Sequence, residues 1–579
     1  MRATLLGSIA CIALAACAPG GNQSSNATTA NASGLPTQSW AQFRDAFIEG
    51  WFKQDPANAV YQGRHDFDGG LGDWSAAGLK AQGDFLRDAI TKANGFDGSK
   101  MSPQDKFERD YLVMVAQGKL FWLEDADQPH TNPAWYVGAG LDPNVYIARN
   151  YADALTRMKA VIAFYKKIPQ AAANIKANLK VPMPLSFIDY GVAAFNGFAD
   201  YYTGDAKMAF ASVHDAALQK EFDDAAAPAS AAMKDLATWL DGQRATATQG
   251  YALGADKFAR MLKQTEGVDV PLDQLEAAGR ADLARNQAAL KQACAQFDPG
   301  ATIADCAKKM QDDKPVGGPV AAAREQIPML RQFVVSHDLV TIPGTEEAKV
   351  EEAPPYNRQN SAYIDPPGPF DKGIPSIYYI APPDPSWPKA EQDAFVPGKA
   401  DLLFTTAHEV MPGHFVQFLH ANRSPSLFGR LFVGYAFAEG WAHYAEQMMW
   451  DAGLNAGDAE THIGQLTNAL LRDCRFLSAI GMHAHGMTQA QSEQMFETQC
   501  YQDKGNAAQQ AARGTYDPAY LNYTMGKLMI MKLRADWTAT RGGRKAWKAF
   551  NDQFLSYGGP PIPLVRQAMM NEPTPRAVF

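Results

Sequence analysis

The sequence predicts a mainly α-helical protein with one small β-sheet beside its chemistry, and three observations predict it. Apolar residues recur every three or four positions over most of the chain. That rhythm breaks between about 339 and 398, where prolines crowd together with short β-like runs. The composition is globular: of 579 residues, 46% are hydrophobic and 11% aromatic, too many for a disordered or fibrous chain. The formal charge is −9 with no Lys/Arg block, so no nucleic-acid partner is expected.

The N-terminus reads as processed. One positive charge precedes an apolar run from Leu5 to Ala16, too short for the ~20 residues that span a bilayer. Leu14-Ala15-Ala16-Cys17 resembles a bacterial lipobox, which makes residues 1–16 a lipoprotein signal peptide and Cys17 the lipidated residue. A plain signal cleaved after Ala16 is the alternative. Ala18, not Asp, follows the cysteine, so the expected location is the outer membrane, facing the periplasm. Residues 17–38, rich in Ser, Asn, Thr, Gly and Ala, read as a flexible tether. A single catalytic domain is expected over 39–579.

Behind the tether, Trp40, Phe43, Phe47 and Trp51 form one apolar stripe, and Asp55-Pro56 looks like an N-cap followed by an N1 proline. Helical patterns follow at 105–124, 150–168, 207–222, 228–243 and 271–296, without internal repeats. Strand candidates are Leu339–Ile342, Ser361–Ile364 and Ser376–Ile380, the last bounded by Pro375 and Pro382. Helical periodicity returns from about 400. Cys294, Cys306, Cys474 and Cys500 remain once Cys11 and Cys17 are set aside, an even number that favours disulfides in an oxidising compartment. Nearest neighbours suggest Cys294–Cys306 and Cys474–Cys500, although three connectivities exist.

The unusual segment is Thr405-Thr406-Ala407-His408-Glu409-Val410-Met411-Pro412-Gly413-His414. A His-Glu pair followed by a second histidine opens a zincin site, in which two imidazoles bind zinc and the glutamate acts as general base. The usual spacing is HExxH, which puts both histidines on one helix face. Here they are six apart, and an ideal helix would turn them roughly 240° away from each other. Proline and glycine offer an escape, since a bulge at Pro412-Gly413 could return His414 to the face of His408.

A second helix supplies a third ligand. Glu439, His443 and Glu446 sit at i, i+4 and i+7 in Tyr435–Glu446 and project from one face. Glu439, about 25 positions after His414, stands where a Glu-zincin takes its third ligand. His443 and Glu446 are then groups that orient the ligands. Trp441, Tyr444 and Met448 continue an apolar side, and a buried carboxylate needs a cation. No nucleophile elbow, P-loop or dinucleotide fingerprint is present.

His-Glu-x-x-Pro-Gly-His-x-x-Gln, followed by Glu-Gly-Trp-Ala-x-Tyr-x-Glu, resembles the bacterial domain-of-unknown-function 885 family, whose likeness is to Glu-type zinc metallopeptidases. More weakly, the resemblance extends over most of the mature chain, including Tyr378-Tyr379, Arg475 to His483, and Arg513 through Lys527. It implies a large helical metallopeptidase-like fold around a deep cleft. It also implies that the strand of Tyr378 and Tyr379 presents an edge to an extended peptide, with an ordinary strand buried by its tyrosines as the alternative. Tyr523 takes the role of the late-helix tyrosine that donates to the oxyanion, with Tyr520 its nearest competitor and a core tyrosine bonded to backbone as the alternative. His483 is a candidate substrate contact by family position, with a core role as its alternative. Arg513 suits a substrate carboxylate because of its planar fork.

The expected function is a lipid-anchored peptidase. One zinc ion per chain is held by His408, His414 and Glu439, with Glu409 as base. A non-catalytic zinc scaffold and a zinc hydrolase of non-peptide amides are the rivals. The oligomeric state is left open.

Overall fold

Ser39 starts the first helix, Trp40–Gln54. Its hydroxyl accepts from the Gln42 amide at 3.3 Å, and the Gln42 side chain accepts from the Ser39 amide at 2.9 Å. The predicted stripe of Trp40, Phe43, Phe47 and Trp51 is buried. Full burial of one such side chain is worth ~1.5–3 kcal/mol. Asp55 then caps Pro56–Tyr61, with the proline at the first helical position, as expected. The computed structural model describes residues 38–579 apart from 355–357 and 359–360. The expected signal peptide, Cys17 and the tether up to residue 37 lie outside the described residues.

Helices make up most of the described chain. Their packing surrounds two apolar cores. One is built by the helices of the first half, joined by Phe428, Phe432 and Met482. The other is built mainly by the chain from Ala255 onward, with Phe121 and Ala126 joining it. The expected segments 207–222 and 228–243 meet in one helix, Ala216–Asp241, which carries Pro228 inside it. The proline removes one helical hydrogen bond, yet Leu218, Phe222, Ala225, Ala229, Met233 and Leu240 keep one continuous buried face. That helix packs on Leu185–Thr203, where the Ser230 hydroxyl donates to the Ala199 carbonyl at 2.7 Å. Among the described residues, no helix is long and apolar enough to cross a membrane.

The sheet has three strands: β1 (Ala348–Glu352), β2 (Ala362–Asp365) and β3 (Ser376–Ile380). Their order is β1-β3-β2, with β3 parallel to β1 (Ala348 opposite Ser376) and antiparallel to β2 (Ala362 opposite Ile380). Leu339–Ile342 is not a strand. Its backbone bonds elsewhere: the Leu339 amide donates to the Val334 carbonyl, Asn551 donates to the Leu339 carbonyl and Asp552 accepts from the Thr341 amide. Both nearest-neighbour disulfides are formed. Cys294–Cys306 ties Leu272–Phe297 to Ile303–Asp312, and Cys474–Cys500 ties Ala459–Ala484 to the end of Gln489–Gln499.

Candidate metal centre

The helix carrying the His-Glu pair, Lys399–Glu409, stops at Glu409, and a new helix, His414–Ala421, begins at the second histidine. The chain therefore breaks the helix rather than bulging it. Pro412, after a cis Met411–Pro412 bond, cannot continue the helical hydrogen bonding. Gly413 allows the turn to close: its amide donates to the Ala407 carbonyl at 2.9 Å, and a Cβ there would collide with the His408 carbonyl. Trp441 holds the turn from the next helix, its indole N–H reaching the carbonyls of Pro412 (3.0 Å) and Gly413 (3.2 Å).

This break brings the histidines together. His408 Nε2 lies 3.3 Å and His414 Nε2 3.4 Å from Glu439 Oε2, and the three ligand atoms fall within 4.8 Å of one another. Glu439 comes from the helix Tyr435–Asp451, as expected. Its buried Oε2 makes no hydrogen bond despite two imidazole nitrogens this close. Three ligand atoms facing a common point at these distances form a set that could hold a metal ion. Two imidazoles and one carboxylate form a set that zinc takes in catalytic sites.

The far sides of the ligands are held. Glu446 Oε1 meets His408 Nδ1 at 2.6 Å, and Arg472 lies 3.2 Å from both groups. Gln417 Oε1 is 3.4 Å from His414 Nδ1. Burial alone would raise the Glu446 carboxyl, but the Arg472 charge and the His408 bond keep it well below the usual range. Burial likewise opposes ionisation of Glu439, and the neighbouring His414 and His408 overcome it. His443, also fully buried, is pushed down to about 3 by burial and then by the charge of Lys527, so it stays neutral. It lies 3.7 Å from Glu446, and neither ring nitrogen makes a close hydrogen bond, a weaker part than the sequence assigned it.

Tyr523 is presented by the helix Asn522–Thr538. That helix crosses the Glu439 helix at Gly440 and Gly526, where the backbones nearly touch; a Cβ on Gly526 would collide with the Ala436 carbonyl. The Tyr523 ring stacks 6.3 Å from the His408 ring. Burial and the Glu439 charge raise its pKa, so its hydroxyl remains a donor. Tyr520 points elsewhere, fully buried against Gly514.

His408, Glu409, His414, Glu439, Tyr523 and Arg513 all line one cavity of about 1340 Å³. The first half of the chain lines its other side with Trp51, Trp74 and Trp135. Three expected contacts do not reach it. Tyr378 and Tyr379 sit on β3, the central strand, whose two edges are already paired, so neither edge can take a peptide. Tyr378 instead packs beside Thr406 and Glu409, behind the site. Ala362, Tyr363 and Ile364 of β2 face the cavity in its place. His483 is buried, bonded through Nε2 to the Gly514 carbonyl at 2.7 Å and stacked on Phe258, which is the core role.

Sequence reasoning missed Arg472 and gave Arg475 no part. Both lie in Leu470-Leu471-Arg472-Asp473-Cys474-Arg475-Phe476-Leu477, three charges inside an apolar helical stretch, and that was the available signal.

The model of the family described as "Bacterial protein of unknown function (DUF885)" matches residues 56–569. The chain belongs to this family. No curated protein matches the chain in sequence. Two solved structures share its fold. One is a candidate lipoprotein of unknown function from Shewanella oneidensis, with TM-score 0.75 and 24% identity, covering 92% of this chain and 100% of its own. The other is a candidate lipoprotein from Colwellia psychrerythraea, with TM-score 0.76 and 16% identity, covering 93% and 99%.

Proposed function

We propose that this DUF885 member is a zinc-dependent peptidase with a metallopeptidase-like catalytic domain over 39–579. We further propose that it is anchored through lipidated Cys17 to the outer membrane and faces the periplasm. The convergence of His408, His414 and Glu439 on one point, with Glu409 on the wall of the same cavity, carries this reading. The two structural neighbours described as candidate lipoproteins support the anchor.

One zinc ion per chain would be held by the two imidazoles and Glu439. When bound, zinc supplies Lewis acidity toward a water and a peptide carbonyl. Glu409 takes the proton of the attacking water and delivers it to the amine nitrogen as the C–N bond breaks, leaving an amine and a carboxylic acid that then ionises. Tyr523 donates a hydrogen bond to the carbonyl oxygen as charge grows there. Glu446, itself held by Arg472, fixes the His408 ring.

Metal analysis of the purified protein, followed by incubation with a mixed peptide library with and without chelator, tests this reading. Stoichiometric zinc and chelator-sensitive cleavage are expected. A zinc-loaded protein that leaves every peptide intact would sink the peptidase reading and favour a scaffold.

A further inference from the structure

Three arginines stand around the ring of Tyr523, with guanidinium carbons 5.8 Å (Arg472), 4.9 Å (Arg475) and 5.9 Å (Arg513) from its centre. Two of them have a carboxylate. Arg472 is paired with Glu446 at 3.2 Å. Arg513 is paired with Asp517 at 3.0 Å and donates to the Tyr435 hydroxyl at 3.0 Å. Arg475 has no acidic partner among the described residues. Its Nε donates to the neutral Gln510 Oε1 at 2.8 Å, and the residue is only 8% exposed.

A buried cation without a counter-charge is costly, and two like charges nearby make it more so. Burial and then the Arg513 charge lower the Arg475 pKa, which expresses the same imbalance. The Tyr523 face offsets part of it. Arg475, Gln510 and Arg513 all line the cavity, so an anion entering there meets a guanidinium whose planar fork matches a carboxylate in two parallel hydrogen bonds.

The distances limit what the anion belongs to. The Tyr523 ring lies 4.9 Å from the Arg475 guanidinium and 6.3 Å from the His408 ring. Laid end to end, these steps set an upper limit of about three extended residues, part of which the guanidinium–carboxylate contact itself takes up. A substrate bond placed at His408, His414 and Glu439 therefore sits one or two residues from whatever Arg475 holds.

We propose that Arg475, braced by Gln510 and flanked by Arg513, forms a carboxylate pocket filled by the free C-terminus of a peptide, so that residues are removed singly or in pairs from that end. The pocket stands on its own geometry, while the trimming rests on the peptidase reading. An acidic side chain is the other source of the same chemistry.

The test uses the zinc-loaded mature protein and three hexapeptides of otherwise neutral, identical sequence: a free C-terminal acid, its C-terminal amide, and an amide ending in Glu. Products are read by mass spectrometry and rates as kcat/KM. The free acid should lose one or two C-terminal residues, and amidation should lower kcat/KM by on the order of 10²-fold, the size of a charge-assisted bidentate contact. If the Glu amide recovers most of that loss, the pocket stands and its ligand is an acidic side chain. In Arg475→Gln the acid-to-amide ratio should collapse toward one, with Arg475→Lys between; circular dichroism and zinc content confirm that the variants fold. Equal wild-type rates on acid and amide overturn the pocket and leave the peptidase reading standing. If no peptide is cleaved, the peptidase reading has failed. Calorimetric binding of acid and amide to wild type and Arg475→Gln then decides the pocket, and equal affinities overturn it.

Discussion

Glu446 stands outside the His408–His414–Glu439 cluster, yet it holds one of its rings through a 2.6 Å bond to His408 Nδ1. Glu446→Gln should weaken zinc affinity by roughly 10–100-fold, as loss of a ligand-orienting carboxylate does elsewhere. Competition against a chromogenic chelator measures this, and wild-type affinity would remove Glu446 from the site. On the proposed function, Glu409 and Tyr523 would act on the chemistry and not on metal binding. Glu409→Gln should keep zinc and cost ~10²–10⁴-fold in kcat. Tyr523→Phe should lower kcat with KM and zinc content nearly unchanged, the pattern of a contact made in the transition state. A raised KM at constant kcat would make Tyr523 a ground-state binding residue instead. His408, Glu409 and His414 were legible because their motif spacing is local, and Glu439 because its own helix carries a second patterned motif. Arg472 and Arg475 were not assigned, because their partners lie on other helices, dozens of residues away.

Helices announce themselves through short-range periodicity, and Trp40–Gln54 and Leu272–Phe297 were readable to within a few residues of their ends. Which elements lie side by side is a long-range matter. Ser376–Ile380 was found as a strand, but β1 beside it, Ala-Lys-Val-Glu-Glu, buries only Val350 fully and leaves little signal. The central place of that strand, which removes Tyr378 and Tyr379 from substrate binding, was therefore hidden. The crossing of the Glu439 and Tyr523 helices was equally hidden, since a glycine within a helix reads as a weak former until its neighbour is known. Gly526→Ala must push against the Ala436 backbone, which cannot rotate away. It should cost ~1–3 kcal/mol, the range of overpacking, and reduce activity as well. Denaturant unfolding checks this, and a stability equal to wild type would mean the helices separate freely.

The two apolar cores meet across the cavity, so global stability and site integrity share supports. The Cys474–Cys500 bridge closes a loop of 26 residues on the helix carrying Arg472 and Arg475. Replacing both cysteines by serine should lower stability by ~2–4 kcal/mol, read as a shift in unfolding midpoint. Glu266, buried at the start of the Glu439 helix, accepts from the Ala436 amide at 3.4 Å and from Asn522 at 3.1 Å. Burial raises its pKa from 4.5 to about 8, outweighing those bonds. Between these values the folded state keeps a proton that the unfolded state has released. Stability from this group is therefore complete below pH 4.5 and lost as pH rises toward 8, by at most about 1.4 kcal/mol per pH unit. Glu266→Gln should flatten that slope in denaturation series from pH 5 to 8, and an unchanged slope would assign it to other groups.

The contact between Gly440 and Gly526 works like a dowel between two machined parts. Side chains elsewhere in the core can change rotamer and absorb a substitution, but two main chains in contact have no slack. The placement of Glu439 against Tyr523 is thus toleranced by atomic radii rather than by how the surrounding core happens to pack. Extensive rewriting of that core, one large residue for another, should leave the spacing of acid and phenol untouched. Two added methyl groups, one on each glycine, should undo it.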